Sequence, residues 1–218
     1  MKLRFVGIAL IVLSLGFGAI YGSKYFKEYT VVTNEEEALS LEDELKRETD
    51  EARKEYLAST NETDSGEENL DEDYTGKVRV LDSDVVAKLT INACNIDAFV
   101  YENEEDDYYL HNNAKGENSR HGEIYTNCYD CKVPIIYGHH MKDGTMFASL
   151  DCAYVGAEIT LEDIGYLEEL TRTYKVTSVN NDVPASKVWD LLDGVDSGLV
   201  LITCSYGVDD GRLVLIAN

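Results

Sequence analysis

The stretch that decides the fold is Leu199-Val200-Leu201-Ile202-Thr203-Cys204-Ser205-Tyr206, continued by Gly207-Val208-Asp209-Asp210-Gly211-Arg212-Leu213-Val214-Leu215-Ile216. Two short runs rich in Val, Leu and Ile flank a polar segment with two glycines, the pattern of strand, loop and strand. Cys204 falls where the first strand ends, and Arg212 where the second begins. A hairpin would bring both to one rim of a sheet. There a guanidinium can favour a thiolate or hold a developing oxyanion. The alternative is a buried thiol at a strand end and an arginine that is only a loop charge, because free cysteine is among the most buried residue types.

An earlier stretch, Ile135-Ile136-Tyr137-Gly138-His139-His140-Met141-Lys142-Asp143-Gly144-Thr145-Met146-Phe147, also runs from an apolar strand into Gly and then His. A Cys, a His and an Arg, each at a strand end, are the parts of a thiol acyl-transfer site. The segment from Tyr137 to Phe147 strongly resembles the histidine motif of class B sortases. Leu201-Ile202-Thr203-Cys204-Ser205-Tyr206 and Gly211-Arg212-Leu213-Val214 resemble that family's cysteine and arginine motifs. Asp107-Tyr108-Tyr109-Leu110-His111 and Gly122-Glu123-Ile124-Tyr125 also resemble class B segments, so the likeness covers roughly residues 78–218.

The resemblance implies a mainly β fold, an eight-stranded sortase-type barrel with a few peripheral helices. It also implies a cysteine transpeptidase. Cys204 would be the nucleophile, attacking a threonine carbonyl in a C-terminal sorting signal. His139 would be the acid and base, and Arg212 the oxyanion holder. Adjacent residues of an extended segment face opposite ways, so only one of His139 and His140 can face Cys204. The family's histidine directly follows the glycine, which selects His139. The implied partners are surface or pilin proteins with a sorting signal and an amine of peptidoglycan or of a pilin lysine; no cofactor is implied. In one respect the chain departs from the pattern: the segment from Asn180 to Ser197 is much shorter than the helix-containing insertion usual in class B. In the family that segment forms a wall of the peptide groove, so substrate choice stays open.

The 218 residues allow one sizeable domain with appendages, and the net charge of −23 speaks against nucleic acid as a partner. Phe5 to Gly22 form an uncharged run of 18 residues after Lys2 and Arg4, near the lower limit for a spanning helix. No clean small-residue cleavage site follows, so residues 1–34 read as a cytoplasmic tip and uncleaved membrane anchor. Basic residues on both sides give a weak orientation signal; the resemblance favours the N-terminus inside and the catalytic domain outside. Residues 35–58 read as a helix with Leu41, Leu45, Ala52 and Tyr56 at helical spacing and a capping-box-like start at Asn34 and Glu37. Residues 59–76 read as a flexible linker. From 35 to 73 there are 17 acidic and 4 basic residues, net −13, the composition of a self-repelling spacer. Asn61-Glu62-Thr63 matches a glycosylation acceptor, a motif frequent by chance. The catalytic domain is expected over 77–218.

Within it, strands are expected at Val85–Ile91, Ala98–Val100, Ile124–Tyr125, Val133–Tyr137, Glu158–Leu161 and Arg172–Val179, besides the two of the opening stretch. Helical turns are expected at Ser83–Val86, at Phe147–Leu150 and at Ala185–Leu192, the last with Trp189 and Leu192 as an apolar pair. Cys94, Cys128, Cys131 and Cys152 could form one or two disulfides, hold zinc as a four-cysteine site, or stay free. His111 and His121 lie in polar loops and are assigned nothing. Two readings compete with the transpeptidase: a membrane-anchored cysteine peptidase with water as acceptor, and a non-catalytic, zinc-stapled surface module.

Overall fold

The structure is a computed structural model and describes residues 37–59, 77–103, 105 and 107–218. The expected anchor, the linker, the acceptor triplet at Asn61 and the cap at Asn34 lie outside the described residues. Among the described residues no helix is long and apolar enough to cross a membrane.

Residues 37–59 form helix α1. The chain then builds eight strands: β1 (Val85–Ile91), β2 (Ile96–Glu102), β3 (Tyr125–Thr126), β4 (Ile135–Tyr137), β5 (Glu158–Asp163), β6 (Thr171–Pro184), β7 (Leu199–Cys204) and β8 (Gly211–Ala217). They close into a barrel in the order β1-β2-β3-β4-β7-β8-β6-β5, so that every strand is paired on both sides and no edge is left open. Pairing is antiparallel except at β2–β3 and β4–β7. Among the described residues that follow α1, helices are few and short: α2 (Tyr108–His111), α3 (Val188–Leu192) and three 3-10 turns.

The unbroken apolar runs of β7 and β8 have a simple cause. Leu199, Leu201, Leu213 and Leu215 belong to the core inside the barrel, while Val200, Ile202 and Val214 pack outside it with Val188 of α3. Strands covered on both faces lose the polar alternation of half-exposed ones. Alternation persists in position: odd residues of β7 point in and even ones point out. Cys204 therefore shares the outer face with Ile202.

Several local expectations need correction. Ser83–Val86 is no helical turn; β1 begins at Val85. The turn expected at Phe147–Leu150 falls later, at Leu150–Cys152. Ala185–Leu192 is helical, but Val188 is its buried residue, whereas Trp189 is 64% exposed. The one-turn helix α2 was not expected.

Cys128 and Cys131 form a disulfide, and Cys94, Cys152 and Cys204 are free thiols. The bridge removes two of the four ligands that a four-cysteine zinc site would need. It frames the fully buried Tyr129, whose hydroxyl donates to Asp163 at 2.6 Å. Lys77 and Arg172 flank the same buried carboxylate at 2.8 and 2.9 Å, so the charge is taken out of water with partners on both oxygens.

Candidate active site

Antiparallel pairing of β7 with β8 places Cys204 directly opposite Arg212. Opposed residues on one face have Cβ atoms about 5 Å apart. The hairpin is closed by Ser205 N–H donating to the Gly211 carbonyl at 2.9 Å. Cys204 is exposed and Arg212 half-buried, with its Nη1 donating to the Gly211 carbonyl at 3.0 Å.

His139 arrives from the neighbouring strand. β4 lies beside β7, with Tyr137 level with Ile202. Beyond Tyr137 the chain passes through Gly138, whose N–H donates to the Ile202 carbonyl at 3.2 Å. A Cβ at position 138 would sit 2.8 Å from the ring of the fully buried Phe147. Glycine is therefore required by a close approach. The loop behind it is held by Phe147 N–H to the His139 carbonyl, 2.9 Å, and by the bridge of His140 with Met146.

Tyr137 and His139 line one cleft together with Cys204, Arg212, Val188 and Trp189. Its volume is about 400 Å³, within the span of about 300–1,000 Å³ typical of ligand sites. The three residues singled out from the sequence, His139, Cys204 and Arg212, thus meet at one rim. His140 does not line the cleft. Its ring lies 5.6 Å from that of Tyr206, and its Nδ1 is buried without a hydrogen-bond partner. His139 is tethered instead, its Nε2 lying 2.9 Å from the Leu110 carbonyl in α2.

Of the other free cysteines, Cys152 is exposed and Cys94 is buried. Burial pushes the Cys94 thiol up to about 11, with the neighbouring Cys152 and Asp151 adding to the shift. A thiol held protonated is a poor nucleophile. His121, assigned nothing from the sequence, is exposed but pairs with Asp143 of the histidine loop at 2.8 Å. Hydrogen bonds from Thr145 and His121 hold the Asp143 carboxyl well below the usual carboxylate range. Sequence reading also missed Leu110, Val188 and Trp189 as cleft residues. Only the likeness of the 107–111 segment hinted at the first. Among the described residues no cluster of three or more His, Cys, Asp or Glu could hold a metal.

Comparison with known proteins gives a match to the Sortase domain family model over residues 89–218. Sortase B of Listeria monocytogenes is 47% identical over 75 residues, which is 32% of this chain and 30% of that protein's length. A solved structure of sortase B from Listeria monocytogenes is 28% identical with a TM-score of 0.46, covering 62% of this chain and 94% of that one. Sortase B of Clostridium perfringens is 24% identical with a TM-score of 0.49, covering 62% and 92%.

Proposed function

Since the chain belongs to the sortase family, matched over residues 89–218, we propose that it is a class B-like cysteine transpeptidase. The single observation that carries the mechanism is the cross-strand pairing of an exposed Cys204 with Arg212 in a cleft that His139 also lines. The 47% identity to a sortase B over 75 residues supports the class.

In this reading the Cys204 thiolate attacks the threonine carbonyl of a C-terminal sorting signal. The carbonyl becomes a tetrahedral oxyanion, held by the Arg212 guanidinium. On collapse the C–N bond breaks and His139 gives its proton to the departing amine, leaving a thioester on Cys204. An incoming primary amine then attacks the thioester and passes a proton back to His139. Cys204 leaves as thiolate, and the substrate is joined through a new amide bond. The acceptor belongs to the cell wall or to a pilin lysine. Residues 1–34 would anchor the enzyme in the membrane with the N-terminus inside and the catalytic domain outside.

The test is incubation with sorting-signal peptides in the presence and absence of an amine acceptor, followed by mass spectrometry. Wild type should form an acyl-enzyme on Cys204 and convert it to amide product when amine is supplied; Cys204→Ala should form neither. Hydrolysis unaffected by amine would instead identify a peptidase.

A further inference from the structure

His139 carries a tether that its role in proton transfer does not by itself require. Its Nε2 lies 2.9 Å from the Leu110 carbonyl oxygen. A carbonyl can only accept, so the proton of that bond belongs to Nε2. We propose that the Leu110 carbonyl is a positioning group that holds His139 in the Nε2–H form, and that Nδ1 is therefore the atom that exchanges protons with the substrate amines. The inference rests on the acid–base role assigned to His139 above.

The acceptor is well placed and well held. α2 is a single turn, and the last carbonyls of a helix have no partner within it. Leu110, which helps to line the cleft, therefore has a carbonyl oxygen available for the His139 ring. The turn is fixed by Tyr109, which is 1% exposed, lies tilted against Tyr101 and edge-on to Tyr108, and hydrogen-bonds Asp84 through its hydroxyl. From above it is fixed by the chain at Gly122 and Glu123. Glu123 N–H donates to the Tyr109 carbonyl at 2.7 Å. Gly122 has φ +58°, and a Cβ there would lie 2.3 Å from the Tyr109 oxygen and 2.7 Å from the Leu110 oxygen. Only glycine lets this strand of chain cross directly over the carbonyl that holds the histidine.

The chemistry follows. Nε2–H donates to Leu110 in both the neutral ring and the imidazolium, so the ring need not reorient between half-reactions. Nδ1–H protonates the leaving amine as its C–N bond breaks, and bare Nδ1 then takes the proton lost by the incoming amine. A ring free to flip would present the wrong nitrogen part of the time, as the second histidine-binding partner of other acid–base sites prevents.

The test is nitrogen-15 NMR of the full chain with labelled histidine, using two-bond proton–nitrogen correlations above the titration range. His139 is assigned by loss of its signals in His139→Gln. The expected result is a proton on Nε2 and an unprotonated Nδ1. In Gly122→Ala the shifted carbonyl should relax this preference and lower kcat about 10²-fold, the order that a misplacement of about 1 Å can cost, with a smaller change in KM. A proton on Nδ1 in wild type would overturn the assignment, and this readout stands even if Gly122→Ala fails to fold. A folded Gly122→Ala with unchanged kcat and tautomer would also overturn it. Retained turnover in His139→Gln would overturn the acid–base role itself, and this inference with it.

Discussion

Arg212 differs from a lysine at the same place in shape before it differs in charge. A purely electrostatic influence on Cys204 would survive Arg212→Lys, because both cations sit opposite the thiol on the paired strand. A guanidinium, however, can offer parallel N–H donors to two oxygens, the oxyanion and a substrate carbonyl, which a lysine ammonium on a flexible stem cannot reproduce. Arg212→Lys should therefore lose nearly as much single-turnover acylation as Arg212→Ala, about 10²–10³-fold. Near-complete acylation by the Lys variant at matched pH would show that charge alone suffices. At this scale the sequence was informative where chemistry and parity coincide. That Cys204 and Arg212 face each other at paired strand ends was legible from two apolar runs and their loop, whereas those runs left their chemical role open. The choice of His139 over its neighbour needed a family motif; in the structure His139 lines the cleft with Tyr137, and His140 packs against Tyr206. The role of Phe147 behind Gly138 was illegible, because a ring packing on a backbone nine residues away leaves no local pattern.

At the scale of elements, strands with strong β-branched runs were readable and short connectors were not. β1, β5, β7 and β8 stand close to where their composition places them. Four-residue α2 is too short to show a helical period, and it depends on tertiary contacts through Tyr109 and Glu123. Helical spacing identifies Trp189 and Leu192 as an apolar pair but not which side of the helix is covered, and it is Val188 that the fold buries. The Glu123 connection carries a pH signature. Burial raises the Glu123 carboxyl above its ordinary value, opposed by the Ala114 N–H that donates to it at 2.9 Å. A carboxyl raised in the folded state binds its proton more tightly there than in the unfolded chain. Its favourable contribution is complete below the unfolded value of about 4.3 and is lost as pH rises through the folded value. Glu102 and Asp130 are raised by burial in the same sense. The melting temperature should thus climb as pH falls through the raised folded values of these carboxyls towards their unfolded values of about 4. Glu123→Gln keeps an acceptor for Ala114 and removes the titration, so it should flatten that climb. An equal slope in variant and wild type would assign the climb to the other carboxyls or to relief of the net charge of −23.

At the scale of the whole molecule, composition set the acidic run from 35 to 73 apart from the barrel domain, but it could not show where the compact unit begins. Contacts gather Glu48–Asn218 into one unit, so its first residues are the later turns of α1. Thr49 is fully buried, and Arg53 donates from Nε and Nη2 to the Tyr166 carbonyl at 2.8 and 2.7 Å while pairing with Glu169 at 2.8 Å. Tyr166 itself is fully buried, and its hydroxyl donates to Asp130. None of these residues lines the cleft of Cys204, His139 and Arg212. Fragments 48–218 and 77–218 should therefore transpeptidate alike but differ in stability. Losing a charged hydrogen-bond donor to a buried carbonyl costs about 1.5–3 kcal/mol. For a domain of this size each kcal/mol moves the melting point by about 2–4 °C, so 77–218 should melt roughly 3–12 °C lower. Arg53→Met within 48–218 should reproduce part of that fall, since it keeps the apolar stem and removes the donors. Equal melting points for the two fragments would show that the helix adds nothing to the barrel. A fall in turnover without a fall in melting point would show that the helix shapes the site itself.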